Sequence, residues 1–472
     1  MINNFPKNNH QIIRQKHNKR LDKRLLLVFL LLSIMSPFAS ITYAQKKDNQ
    51  TYNFSLQQCI DFAYQNQVDV KNSQVDEQIS QAKVNEILGL GLPQINGSFN
   101  YQDFVKLPTQ LIPAQFFGGP PGTYIGLQFG TQFVGTADVS ASQLLFDASF
   151  FIGLKASKAY LELSRKNTSR TKIETNAAVT KAYYSVLVAA EKMTLMDANV
   201  DRLKKLKDDT QAMWDNGMIE KIDLDRVTVA YNNIVSERDN VARLIALSNY
   251  LLKFQMGMDQ TAALTLTDQI NSMELINWDI NTSGFDYTKR IEYSIIESEK
   301  TLGFLDLKRY KSGYYPSIYA YGDLSTANEV NTWNITESNQ KWYPTGLIGA
   351  KLTLPIFDGQ QKHARVVQAE LNLKKIDNQE QYLQNALSFQ VTSAKTTYDN
   401  SIANLKVQKD NITLAENVYH VTMRKYETGV GTNLEVVTAQ TDLKQAQDNY
   451  YQALFDAMNA KVDLDKALGN IK

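Results

Sequence analysis

Long stretches without glycine or proline constrain this chain more than any other feature of its sequence. Neither residue occurs at positions 52–88, 154–216, 218–256, 360–428 or 432–468. Because both residues are disfavoured inside helices, their absence over such lengths favours continuous α-helices. At about 1.5 Å per residue the longest stretch spans roughly 100 Å as a helix, whereas a globular helix averages about 11 residues. The sequence therefore predicts helices of coiled-coil length.

The apolar seam of the longest stretch is narrow. Apolar and small residues recur there at steps of three and four, with one break at Lys409, as on one face of a helix. These residues are Leu387, Val391, Ala394, Tyr398, Ile402, Leu405, Ile412, Ala415, Tyr419, Met423 and Tyr426. Polar residues lie between them, so we expect each helix to touch its neighbours along a slim stripe. This pattern favours a wall of helices, wet on both sides, over a solid globular core.

Segments with a different period separate the helical stretches. Residues 132–146 and 345–357 alternate with a period of two, which predicts strands with one apolar face. Each follows another predicted strand, at 94–104 and 317–323, across a connection rich in turn residues. Short amphipathic hairpins with long loops at one end are typical of outer-membrane barrels. For the strands alone, the edge of a soluble sheet is an equal alternative.

An internal repeat organises the chain. The tetrapeptide at 92–95 recurs at 315–318, the Leu-Phe-Asp at 145–147 recurs as Ile-Phe-Asp at 356–358, and the glycine turn at 215–218 recurs at 427–430. Three landmarks that keep their order at nearly one displacement indicate a duplication. The order helix, strand, loop, strand, very long helix, tight turn and long helix is therefore predicted twice.

The repeat and the leader divide the chain into four parts. Residues 1–44 have a basic start, an apolar run and a small-residue end at Ala44, which is the pattern of a cleaved secretory signal peptide. An uncleaved membrane anchor is the alternative, which Pro37 and several hydroxyl residues weaken. We assign 45–258 to the first repeat, 259–284 to a linker and 285–472 to the second repeat.

Composition and motifs exclude several classes of function. The formal net charge is +1 and the basic leader leaves the remainder mildly acidic, so there is no electrostatic basis for binding nucleic acid. The single cysteine, Cys59, excludes an intramolecular disulfide and thiolate zinc sites. The sequence contains no phosphate loop, no His-Glu-x-x-His and no Gly-x-Ser-x-Gly. We expect no enzymatic activity, no cofactor and no metal site.

The residues around the second glycine turn resemble a known family. Residues 426–440 read Tyr-Glu-Thr-Gly-Val-Gly-Thr-Asn-Leu-Glu-Val-Val-Thr-Ala-Gln, and 466–469 read Lys-Ala-Leu-Gly. This stretch is similar to the second helical turn and closing helix of TolC-like outer membrane efflux proteins. Further marks are the helix opening at Ser55, the prolines Pro93 and Pro316, and the duplicated Phe-Asp pair. Together these marks extend the resemblance over nearly the whole mature chain, and their order and duplication make it specific.

The resemblance implies a mainly α protein with a small β part. Its duplicated long helical hairpins would form a trimeric α-helical tunnel, and four strands per chain would contribute to one shared outer-membrane β-barrel. Since four amphipathic strands cannot close a barrel alone, a homotrimer agrees with the strand count. The polar strand faces would line the barrel lumen with Asp138, Ser140, Lys351 and Thr353.

Two further sets of residues are predicted to act at the periplasmic end. The turns Gly217-Met218 and Gly429-Val430-Gly431 would contact an adaptor protein, although tight reversal of the chain also requires glycine. Glu435 stands where the family has its first constriction carboxylate, and Thr438 replaces the second. Thr432-x-x-Glu435 also fits a helix capping box, so capping is an equal interpretation of Glu435.

The resemblance therefore implies the exit duct of a tripartite efflux pump that exports small toxic compounds. We expect it in outer-membrane lipid and extending into the periplasm, with a periplasmic adaptor (membrane fusion) protein and an inner-membrane transporter as partners. The duct of a type I protein secretion system and a structural coiled-coil envelope protein remain alternatives. The adaptor itself is disfavoured, because an adaptor would have one helical hairpin flanked by small β-domains.

Overall fold

The computed structural model describes residues 51–270, 285–333 and 340–471. The predicted signal peptide at 1–44 lies outside the described residues, and so does part of the predicted linker. No described helix combines the length and the apolar character needed to cross a membrane.

The described chain is mainly helical, and one order of elements occurs in both halves. The first half contains β1 (Thr51–Phe54), α1 (Leu56–Asn66), α2 (Val68–Gly89), β2 (Gln94–Asp103), β3 (Thr109–Pro113), β4 (Tyr124–Gln128), β5 (Phe133–Asp147), α3 (Ala148–Asp215) and α4 (Lys221–Met256). The short strand β6 (Ala263–Leu266) follows. The second half contains α5 (Ile291–Ser312), β7 (Ser317–Val330), β8 (Tyr343–Thr353), α6 (Gln361–Glu427) and α7 (Asn433–Leu468).

Local signals explain where the helices begin. Ser55 caps α1 in a capping box with Gln58, and the Asp147 carboxylate accepts hydrogen bonds from the amides of Ser149 and Phe150 at 2.7 and 3.1 Å. Such side chains satisfy backbone amides that have no partner in the first helical turn. The helix predicted from the stretch at 52–88 is interrupted at Gln67, whose side chain accepts from the amide of Val70 and starts α2.

The predicted seam of α6 is the face that packs. Leu387, Val391, Tyr398, Leu405 and Tyr419 are all buried. Helix α6 packs along α7, and α3 packs along α4, so each half contributes one long helical hairpin. A core cluster joins the two hairpins near their turns with side chains from all four helices. Between the hairpins α3 and α7 pack against each other, whereas the flanking helices α4 and α6 leave apolar side chains such as Leu247 and Val418 exposed.

One sheet joins the two halves. Its order is β2-β5-β7-β8, and all three pairings are antiparallel. The central pair, β5 with β7, connects a strand of the first half to a strand of the second, with a β-bulge at Leu145. Strands β2 and β8 are edge strands, with one side unpaired within the described chain.

Four details of the structure differ from the sequence expectations. The predicted strand at 317–323 extends to Val330, because residues 324–330 pair continuously with β5. The strand predicted to reach 357 ends at Thr353, before Pro355, which has no amide hydrogen to donate. The predicted loop between β2 and β5 contains the antiparallel pair β3-β4, and the predicted linker contains β6, which pairs in parallel with β1. These strands have only four or five residues and carry little periodic signal.

Candidate functional site

Both helical hairpins reverse through the same turn geometry. Gly217 and Gly429 have φ angles of 71° and 75°, in the left-handed region. The amide of Met218 donates to the carbonyl of Met213 at 2.9 Å, and the amide of Val430 donates to that of Lys425 at 3.0 Å. This is the Schellman arrangement at a helix C-terminus, which glycine adopts without steric cost. It places Met218 and Val430 outward, with exposed fractions of 74% and 80%.

The structure brings the two predicted contact turns to the same end of the helical bundle. The side-chain amide of Asn433, at the start of α7, donates to the carbonyl of Asp223 in the first turn of α4 at 3.1 Å. The Tyr426 hydroxyl, near the end of α6, lies 3.7 Å from the sulfur of Met213 in α3. Two turns far apart in sequence therefore form one exposed tip.

Glu435 caps helix α7. Its carboxylate accepts from the amide of Thr432 at 3.3 Å, while its own amide donates to the Thr432 hydroxyl at 3.3 Å. The capping box is therefore present. The exposed side chain of Thr438 lies one turn later and donates to the carbonyl of Leu434 at 2.8 Å. The role of both residues at a pore constriction stays a prediction.

A groove of about 690 Å³ runs beside the tip, between α4 and α7. Exposed apolar side chains line it, and both acidic and basic side chains stand at its rim. The apolar group includes Ile222, Val229 and Leu434, and the charged group is Asp225, Arg226, Glu237 and Lys444. The Lys444 ammonium lies 3.7 Å from the Glu237 carboxylate, which ties α7 to α4 across the groove.

A buried polar layer between the hairpins was not foreseen from the sequence. Asn199 of α3 donates to Gln447 of α7 at 2.7 Å and accepts from Gln440 at 3.1 Å. Arg202 also donates to Asn199, and its guanidinium lies 5.5 Å from the centre of the Tyr419 ring. Gln440 and Gln447 are seven residues apart and so share one helix face. Two glutamines at this spacing, within an otherwise apolar stripe of α7, are the sequence signal that could have revealed the buried layer.

The four predicted lumen residues share one face of the sheet. Asp138 pairs with Ser325 and Ser140 with Asp323, while Lys351 pairs with Tyr319 and Thr353 with Ser317. These partners occupy alternate positions of β7, so all of them point to the same side. The side chains of Ser98 and Asp138 are hydrogen bonded across β2 and β5 on this face.

The opposite face of the sheet is apolar and open. It carries large side chains that no described residue covers, with Ile348 exposed to 95%. The exposed apolar residues of this face are Ile95, Phe99, Val139, Leu324, Ile348 and Leu352. A contiguous apolar surface of this kind marks contact with lipid or another macromolecule. Among the described residues, no group of His, Cys, Asp and Glu side chains is placed to hold a metal ion.

Known proteins resemble this chain over most of its length. The family described as outer membrane efflux protein matches residues 308–470. The antibiotic efflux pump outer membrane protein ArpC of Pseudomonas putida is 21% identical over 344 residues, which cover 72% of this chain and 69% of ArpC. The outer membrane protein TolC of Salmonella enteritidis is 19% identical over 468 residues, which cover 95% of this chain and 87% of TolC. A crystal structure of CusC has the same fold, with a TM-score of 0.69 at 16% identity, covering 92% of this chain and 96% of CusC.

Proposed function

We propose that this chain is the exit duct of a tripartite efflux pump in the outer membrane, since residues 308–470 match the outer membrane efflux protein family and nearly the whole chain resembles TolC. The observation that carries this proposal is the amphipathic sheet, whose apolar face is open and whose two edge strands lack partners among the described residues. The duct would cross the outer membrane through this sheet and extend into the periplasm through the helical hairpins.

The sheet edges support assembly into a homotrimer with one shared barrel. The strands alternate in direction, so β8 of one copy would meet β2 of the next in antiparallel orientation. Closing the ring would satisfy every edge amide and carbonyl, which a lipid environment requires. The apolar face would contact lipid, and Asp138, Ser140, Lys351 and Thr353 would face the water-filled lumen.

The exposed tip supports docking of a periplasmic adaptor protein, which would connect the duct to an inner-membrane transporter. Met218 and Val430 are exposed beside the glycines Gly217, Gly429 and Gly431, and the apolar groove between α4 and α7 lies next to them. An amphipathic helix of the adaptor fits such a groove, because it would cover Ile222, Val229 and Leu434 while its polar face meets the charged rim.

Cysteine crosslinking in whole cells tests the docking. Met218→Cys and Val430→Cys are expected to crosslink to the adaptor. The matched control is Gly119→Cys, which lies in the connection between β3 and β4 and not in either helical turn. Crosslinks to the adaptor from Gly119→Cys, and none from Met218→Cys or Val430→Cys, would show that the orientation is the reverse of the one proposed.

Glu435 is proposed to form a constriction in addition to its capping role. Three copies around a trimer axis would bring like charges together, which attracts cations into the pore. Glu435→Gln keeps an amide oxygen for the cap and removes the charge. We expect lower cation selectivity and weaker block by multivalent cations in single-channel currents, with Thr438→Ser as the uncharged control. Unchanged selectivity would place the constriction elsewhere.

Gene deletion in the host tests the function itself. Since ArpC is named for antibiotic efflux, we expect deletion to raise sensitivity to antibiotics and other small toxic compounds, and the intact gene to restore resistance. Loss of a secreted protein with unchanged drug sensitivity would favour a type I secretion duct. If neither drug sensitivity nor protein secretion changes on deletion, the alternative of a structural coiled-coil envelope protein would be favoured.

A further inference from the structure

The hairpin of β3 and β4 has an unusual composition for a water-exposed connection. We define the apolar hairpin as residues 105–131, where Lys106 is the only charged residue. Its strands pair Leu111 with Gly126 and Ile112 with Ile125. The following 3₁₀ turn, Ala114–Phe117, carries two adjacent phenylalanines.

The apolar hairpin has no substantial support from its own chain. Strands β3 and β4 form a separate two-stranded sheet, and no other described helix or strand makes more than marginal contact with either. Yet its apolar side chains face outward, with Phe116 exposed to 78% and Phe117 to 62%. An isolated two-stranded hairpin is marginally stable in water. Its stability therefore requires a surface that covers it.

The tip of the apolar hairpin is nevertheless well defined. The amide of Gly119 donates to the carbonyl of Ala114 at 2.8 Å, and the Thr123 hydroxyl donates to the carbonyl of Pro120 at 2.7 Å. Two consecutive prolines, Pro120 and Pro121, restrict the same turn. A preorganised tip loses little conformational entropy on binding, so its phenylalanines are suited to act as anchors.

The position of the apolar hairpin indicates what covers it. It continues from β2 and β5, whose ladder extends to the bond from the Phe104 amide to the Gln132 carbonyl at 2.7 Å. Strand β2 is an edge of the main sheet. The hairpin therefore stands at the edge where, under the proposed function, a neighbouring copy adds its β8. The loop end of that strand carries Tyr343, which is also exposed.

We propose that the apolar hairpin docks onto a second copy of this chain, with Phe116 and Phe117 packing against the loop end of the neighbour's sheet. The inference rests on the proposed trimer and adds an interface beyond the shared barrel. An acidic partner fits less well, because carboxylate groups pair best with cations and the segment offers only Lys106. In a closed ring, the apolar hairpin of each copy would pack against one neighbour, and the hairpin of the other neighbour would pack against that copy.

Photo-crosslinking of the full-length chain in its native membrane tests the contact. A benzophenone amino acid replaces Phe117 in one variant and Gln102, on the β2 edge, in a second. Irradiation of the Phe117 variant is expected to give covalent multiples of the chain, with the joined peptides mapping to residues 317–353. The Gln102 variant reports the edge pairing of the proposed trimer by itself.

The two probes separate the two ideas. Crosslinks between copies from Gln102 and not from Phe117 would overturn the docking and leave the trimer standing. The absence of crosslinks between copies from both Gln102 and Phe117 would overturn both the proposed trimer and the docking. Crosslinks from Phe117 to lipid or to another protein would also refute the docking.

A double variant provides a second measurement. Phe116→Ser with Phe117→Ser is expected to lower the temperature at which the oligomer dissociates in detergent, while helix content stays unchanged because both side chains are exposed within one chain. The control is Gln115→Ser on the same turn. An unchanged dissociation temperature in the double variant would overturn the proposal.

Discussion

Replacing Asn199 by alanine tests whether the buried polar layer holds the two hairpins together. Asn199 is fully buried and is the centre of the layer. Its side chain donates to Gln447 at 2.7 Å and accepts from Gln440 at 3.1 Å. The other polar atoms of these glutamines, Gln440 Oε1 and Gln447 Nε2, are buried without a partner. Asn199→Ala would therefore leave both amides with no hydrogen bond.

The expected cost follows from these orphaned groups. Each buried polar group that loses its partner costs about 1–3 kcal/mol, so two of them cost about 2–6 kcal/mol, and about 3 kcal/mol is a conservative figure. A loss of this size accelerates exchange through local opening by about 100-fold, since about 1.4 kcal/mol corresponds to a factor of ten. The effect should be confined to the segments that meet at the layer, residues 196–206 of α3 and 436–447 of α7.

Amide hydrogen exchange followed by mass spectrometry measures this opening segment by segment. The matched control is Asn404→Ala, an exposed asparagine of α6 whose oxygen accepts from Gln408 at 3.2 Å. The control should change stability by less than about 0.5 kcal/mol. Replacing Asn199, Gln440 and Gln447 together by leucine should restore most of the protection, because no orphaned amide remains. Equal exchange in Asn199→Ala and Asn404→Ala would refute the reasoning.

Three further predictions use other features of the structure. Gly429→Ala should lower the midpoint of thermal unfolding, followed by circular dichroism, because alanine in the left-handed region costs about 1–2 kcal/mol; Gly153→Ala, inside α3 with open space around it, should raise it. Burial alone would raise the pKa of Glu292, but the hydrogen bonds from Arg290 outweigh it and hold that pKa below its usual value of 4.5. The pair should therefore stabilise the chain above about pH 4.5 and lose this contribution as pH falls through the lowered pKa. In Glu292→Gln the free energy of unfolding, measured at a series of pH values, should fall less steeply below about pH 4.5. Burial, with a smaller effect of Asp268, raises the pKa of Cys59 to about 12, so the native chain should resist maleimide at pH 8 and react only when unfolded.

The sequence by itself determined the features that depend on neighbouring residues. Helix propagation is local, so the absence of glycine and proline located α3, α4, α6 and α7 to within a few residues except at the start of α3. The turns at Gly217 and Gly429 were also predictable, because a left-handed residue at a helix end favours glycine. Period-two alternation likewise placed Asp138 and Lys351 on the polar faces of their strands. The capping pattern at Thr432 and Glu435 was visible as well, because its partners are three residues apart.

The tertiary structure alone decided the features that join distant segments. The pairing of β1 with β6 and the extension of β7 along β5 rest on partner strands roughly 200 residues away, and no local period encodes such a partner. The same holds for Asn199, whose hydrogen-bond partners in the buried layer, Gln440 and Gln447, belong to the other repeat. Periodicity specifies which face of an element is apolar, whereas contacts between the folded elements determine what each face meets.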